Sequence, residues 1–120
     1  MYFLEDLELW RYARKFRNNI SKLVKTFPHD EKYRLTDQLL RSSRSISANV
    51  AEGFGRFHYQ ENIQFCRQAR GSLLEVLDHL YVALDETYIN SIKFEEMRQE
   101  LLFCLKLLNG YIRYLKSKKE

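Results

Sequence analysis

Arginine is the residue type in this chain whose number and spacing point to chemistry. Arg34, Arg41 and Arg44 lie seven and three residues apart, which aligns them on one face of a helix. Arg56 follows that run and Arg67 lies further on. Between Lys32 and Arg70 there are seven basic and three acidic residues, a net +4 equal to the formal charge of the whole chain. A guanidinium is a planar fork that matches phosphate oxygens, so an arginine-rich face suits a nucleic-acid backbone better than a lysine-rich one. Phe57 and Tyr59 flank this stretch and have the flat faces on which unpaired bases stack. The expectation is that Arg34, Arg41, Arg44, Arg56 and Arg67 contact phosphate. The competing reading pairs them with Asp37, Glu52 or Glu61, or places them in a subunit interface.

Four further positions read as structural or interface residues. Arg70 falls in an apolar register between Cys66 and Leu73, where a buried guanidinium needs a carboxylate or several carbonyls. A salt bridge within the bundle or between subunits is expected there. Asn49 and Glu52 sit among small residues, where burial demands partners, and both read as polar contacts that hold helix register. Gly53, with Gly55, reads as a helix end.

Other chemistries are excluded by their missing parts. A di-iron bundle needs two Glu-x-x-His pairs and further glutamates. This chain has three histidines, and the nearest approach to such a pair, Glu75 with His79, reads as a surface pair. Ser42, Ser43, Ser45 and Ser47 lie in no nucleophile elbow and have no histidine on their helix, so they read as packing residues. Gly53-Phe54-Gly55-Arg56 follows a helix and lacks the Lys-Ser/Thr of a phosphate loop. No nucleophile, base and orienter come together, so no enzyme, metal or cofactor is expected.

The elements that must position these residues are four amphipathic helices. Leu9, Ala13, Phe16, Ile20, Leu23 and Phe27 recur at four-three spacing, predicting a helix over about 7–25 that Pro28 ends. Leu35, Leu39, Ile46 and Val50 mark a second over 35–54, rich in small residues that admit a close neighbour. Ile63, Cys66, Leu73, Leu77, Leu80 and Leu84 mark a third over 59–86. Phe94, Met97, Leu101, Cys104, Leu108, Tyr111 and Leu115 mark a fourth over 93–117. Short connections make neighbours antiparallel, so the fold class is all-α, an up-and-down four-helix bundle in a single domain over 1–120. The wide apolar arcs of the last two helices predict self-association. Residues 116–120 read as a frayed basic end.

A chain of 120 residues suffices for one domain with its own core. Cys66 lies 24 residues before the turn near Asn90 and Cys104 lies 14 after it. On antiparallel helices the mismatch separates them by about 15 Å, beyond disulfide reach. No apolar run nears the roughly 18 residues of a membrane span and no basic leader opens the chain, so a cytoplasmic protein is expected.

The motifs together resemble a known family. They are Phe3-Leu4-Glu5-Asp6-Leu7 with Trp10 and Ala13; Phe27-Pro28; Tyr33-Arg34-Leu35-Thr36-Asp37-Gln38-Leu39; Ser45 through Arg56, reading SISANVAEGFGR; and Ala69-Arg70-Gly71-Ser72-Leu73-Leu74-Glu75. This set, spread over nearly the whole chain, resembles the four-helix-bundle proteins encoded in intervening sequences of bacterial 23S rRNA genes. The resemblance implies a ring-like homo-oligomer, a pentamer. The accessory variability protein of diversity-generating retroelements is similar too, which implies nucleic-acid binding, RNA foremost, in aid of a reverse transcriptase. The resemblance supplies no catalytic residue. Two departures stand out: His58 where a Ser or Thr cap is usual, and Thr87 where a glycine is usual, which implies a stiffer or strained helix end. The leading expectation is a non-enzymatic oligomeric nucleic-acid-binding accessory protein. The alternative is a scaffold that docks a partner enzyme such as a reverse transcriptase.

Overall fold

The computed structural model describes residues 2–118. Four helices account for most of them: α1 (Glu8–Val24), α2 (Leu35–Phe54), α3 (Tyr59–Asp85) and α4 (Ser91–Lys118). Short 3-10 turns at Leu4–Asp6 and His29–Glu31 precede α1 and α2. Each helix packs on its neighbour in sequence and α1 closes the ring on α4, with α2 against α3 the most extensive contact. The bundle measures 48 × 24 × 23 Å, and its long dimension is close to the ~42 Å of a 28-residue helix such as α4. The helices therefore lie side by side along one axis.

The apolar stripes face that axis. Ala13, Phe16 and Ile20 of α1, Leu39, Ile46 and Val50 of α2, Leu73, Val76 and Leu80 of α3, and Leu101 and Leu108 of α4 are fully or almost fully buried. Leu77, Leu84 and Tyr111 are half-buried at the margin of the core. Cys66 and Cys104 are free buried thiols. Burial pushes both up to about 12, which keeps them protonated small hydrophobes. The serines of α2 also pack. Ser42 and Ser43 donate back to the carbonyls of Gln38 and Leu40 at 2.8 and 3.2 Å, so their hydroxyls are buried already satisfied. Ser72 of α3 donates across to Ser45 Oγ at 2.9 Å.

Three details differ from expectation. The basic end is helical as far as Lys118, while Lys119 and Glu120 lie outside the described residues. No glycine has a positive φ, so Gly53 and Gly55 do not end α2 by a left-handed turn. Gly53 serves a close approach instead. A Cβ there would stand 2.6 Å from Asn62 Oδ1 and 3.0 Å from Phe65 Cβ on α3. The left-handed residues are Phe57 and Thr87, each with φ 62°. Thr87 stands in the strained helix end that its sequence context implied. Among the described residues, no helix is long and apolar enough to cross a membrane.

Candidate nucleic-acid interface

The arginines of α2 stand on its outer face. Arg34 precedes the first turn, and Arg41 and Arg44 follow two and three turns on; all are exposed. Arg41 Nε lies 3.0 Å from Asp37 Oδ2, but its side chain remains 80% exposed. An exposed i,i+4 pair contributes only about 0.3–0.5 kcal/mol, so a phosphate can displace the carboxylate. Among the described residues, Arg34, Arg44 and Arg67 have no carboxylate within 4.0 Å.

Arg44 borders a groove of about 410 Å³ between α1 and α2, with Trp10, Arg17, Ser47, Ala48 and Ala51. Arg17 Nη1 donates to Ser47 Oγ at 2.6 Å, and Ser47 lies on the α1-facing edge of α2. The small side chains of Ala48 and Ala51 leave the groove open. Arg14 lies over the Trp10 ring at 5.9 Å. Trp10, Arg14 and Arg17 recur at four-three spacing and so share the edge of α1 that meets α2. The outer face of α1 continues the charge, where Arg11, Arg14, Lys15 and Lys22 line a shallow depression with Asn18 and Asn19. None of these cations has a carboxylate within 4.0 Å among the described residues.

This α1 face escaped the sequence reading, although its signal was countable. Six basic residues and one acidic one lie between Glu8 and Lys25, a denser excess than that of α2. The apolar stripe of α1 is so regular that it accounts for the helix without regard to its outer residues.

The remaining arginines are placed otherwise. Arg56 ends in ion pairs, with Nε 3.0 Å from Glu52 Oε2 and Nη1 3.5 Å from Glu61 Oε2, and lies 5.0 Å above the Phe65 ring. The pairing reading thus describes Arg56. Glu52 is exposed and bound within its own helix end, so it does not hold register between helices as expected. Asn49 is half-buried and donates to Ser45 O and Oγ at 2.9 and 3.0 Å, a contact within α2. Among the described residues, Arg70 finds no carboxylate within 4.0 Å. It reaches Asn109 Oδ1 of α4 at 3.0 Å, and as a half-buried residue it keeps part of its guanidinium in water. Arg67 stands on the outer face of α3, outside the α1–α2 groove.

Among the described residues no three His, Cys, Asp or Glu side chains gather to hold an ion. Glu75 and His79 approach as a lone pair, 3.7 Å apart.

Comparison with known proteins agrees with this architecture. The sequence model of the 23S rRNA-intervening sequence proteins matches residues 5–110. The fold superposes on the crystal structure of a protein with unknown function from the S23 ribosomal protein family of Bacteroides thetaiotaomicron, with a TM-score of 0.80. That likeness covers 87% of this chain and 97% of the other at 24% identity, and it speaks to the fold alone. No curated protein matches the chain.

Proposed function

Since the chain belongs to the family of 23S rRNA-intervening sequence proteins, we propose that it is a non-catalytic, oligomeric nucleic-acid-binding accessory protein that holds RNA phosphates along its α1–α2 face. The observation that carries this reading is the cationic strip formed by Arg11, Arg14, Lys15 and Arg17 on α1 with Arg44 on α2, none of which has a carboxylate within 4.0 Å among the described residues, and with Arg41 beside it. Counterion release from such a strip gives binding that is strongly salt-dependent and weakly selective for sequence. Repetition of the strip around a homo-oligomer, a pentamer by family likeness, would multiply a modest affinity by avidity. Exposed Leu74 and Val82 on α3 and Ile92 and Phe103 on α4 favour self-association, because they leave apolar surface in water.

The test is charge reversal on both helices, as Arg41→Glu with Arg44→Glu and as Arg14→Glu with Lys15→Glu. All four side chains are exposed, so the fold should survive. Each double variant should weaken binding to a structured RNA and flatten its salt dependence by about one log unit per lost phosphate contact. Unchanged affinity in both would remove this face from the account. The same exposed apolar residues favour a second reading, a scaffold for a partner enzyme. It predicts a complex that survives high salt and ignores these arginines.

A further inference from the structure

The end of the bundle where the chain enters, α2 turns into α3 and α4 finishes holds a cavity of about 510 Å³. That volume lies within the roughly 300–1,000 Å³ of small-molecule sites. Six aromatic rings line it, those of Tyr2, Phe54, Phe57, Tyr59, Tyr111 and Tyr114. Tyr111 and Tyr114 stack 6.3 Å apart at 15°, and Tyr2 lies 6.3 Å from Phe54. Besides the tyrosine hydroxyls, His58 and Asn62 are the polar side chains of the lining, and among the described residues no carboxylate belongs to it. Asn62 Nδ2 donates to the Tyr111 hydroxyl at 3.1 Å, which leaves the Tyr111 proton to donate elsewhere. The Lys118 ammonium stands 5.8 Å over the Tyr114 ring at the margin.

Phe57 is the unusual member. Its backbone is left-handed at φ 62°, and its side chain is 86% exposed. A non-glycine residue in this conformation costs about 1–2 kcal/mol. No packing of the ring offsets that cost, and among the described residues the Phe57 N–H makes no hydrogen bond. The protein therefore holds a large apolar ring in water, against its backbone preference, at the mouth of an aromatic cavity. Backbone strain of this kind clusters at functional sites.

We propose that this cavity receives an unpaired nucleobase of the bound strand, with Phe57 and its aromatic neighbours as the stacking platform. The inference rests on the nucleic-acid reading above and adds to it a site for the base. The six flat rings offer the faces on which a neutral planar base stacks. The lysine at the margin suits the phosphate that accompanies a base. The Tyr111 hydroxyl and the His58 imidazole offer hydrogen bonds to base edges.

The experiment uses the full-length protein with an RNA hairpin carrying one unpaired 2-aminopurine in its loop, beside a fully paired duplex of equal length. Stacking should quench the 2-aminopurine and make the looped hairpin bind more tightly than the duplex. Phe57→Gly should abolish the quench and weaken hairpin binding roughly tenfold, the scale of one lost base stack, while duplex affinity stays unchanged. Tyr114→Ala should act in the same direction. Glycine suits φ 62°, so Phe57→Gly should melt no lower than the parent and its binding loss cannot be unfolding. Binding of both RNAs with no quench and no effect of Phe57→Gly would overturn the base site and leave the phosphate face standing. Failure of the parent protein to bind either RNA would sink both readings. Loss of the oligomer in Phe57→Gly, seen as a drop in solution mass, would also overturn the proposal, because it would make Phe57 a subunit contact.

Discussion

The two ends of the bundle use the same unusual backbone conformation and surround it differently. At the end where α3 passes to α4, Thr87 is left-handed as the last residue of a helix cap. The Thr87 and Tyr88 N–H groups donate to Leu84 O and Ala83 O at 3.0 and 2.9 Å, so the turn closes the carbonyls that a helix leaves open. Tyr88 then packs against Phe27 with ring centroids 5.7 Å apart and the rings tilted by 42°, and its hydroxyl donates to Glu31 Oε2 at 2.6 Å. Those contacts join the α3–α4 connection to the α1–α2 connection. At the opposite end Phe57 is left-handed two residues beyond the last capped position and contributes to no such closure. That end is held instead by the close approach of Gly53 to Asn62, by the Asn62–Tyr111 bond and by the Arg56–Glu61 pair, which tie α2, α3 and α4 behind the cavity. The difference teaches that strain which serves the fold is surrounded by bonds, whereas strain at the open end serves something outside the chain.

The comparison can be broken most sharply at Gly53. An alanine there must displace Asn62 or Phe65, so Gly53→Ala should lower stability by about 1–3 kcal/mol in chemical denaturation. A neutral result would mean that the open end is not held by this approach. Next come the paired replacements Thr87→Gly and Phe57→Gly. Both relieve a left-handed side chain, and each should raise the thermal midpoint by up to about 1 kcal/mol in equivalent stability. Only Phe57→Gly should alter RNA binding. Equal binding losses from both would erase the distinction between the ends.

A smaller effect concerns acid. The Tyr88 hydroxyl, then the Leu35 N–H, holds the Glu31 carboxyl below its usual 4.5. A carboxyl depressed in the folded state contributes stability above its unfolded value, and that contribution is lost as pH falls through the folded value. Denaturation midpoints should therefore fall below about pH 4.5, and Tyr88→Phe should remove part of that acid limb. The Tyr88 hydroxyl is pushed up to about 12 by the same bond to Glu31. Its share of stability is therefore full below pH 10 and lost as pH rises toward 12.

The fold was legible because its signal is local. The four-three stripes of α1 and α4 and the break at Pro28 name the helices and most of the buried residues directly. The site was legible in part. Arg41 and Arg44 could be placed on one face by spacing, because that face belongs to a single helix. The groove with Trp10 and Arg17 could not, since it depends on which edges of α1 and α2 meet. Arg70 reads as buried by register alone, yet the polar side chain opposite it is Asn109, a partner set by the alignment of α3 with α4. Gly55 carries the usual mark of a left-handed helix end, yet its φ is −74° and the turn falls on Phe57. Residue preference favours glycine there, and only the path from α2 to α3 overrides it.

The central claim is that exposed cations of α1 and α2 hold phosphate. Its most direct test is the affinity of the intact protein for a structured RNA across a salt series, with solution mass recorded alongside. The account predicts binding by a particle of several subunits, falling steeply and linearly on a log–log plot, with a shallower slope once Arg14, Lys15, Arg41 and Arg44 are reversed. An intact oligomer that binds no RNA at low salt, or a slope that the four reversals leave unchanged, would contradict it.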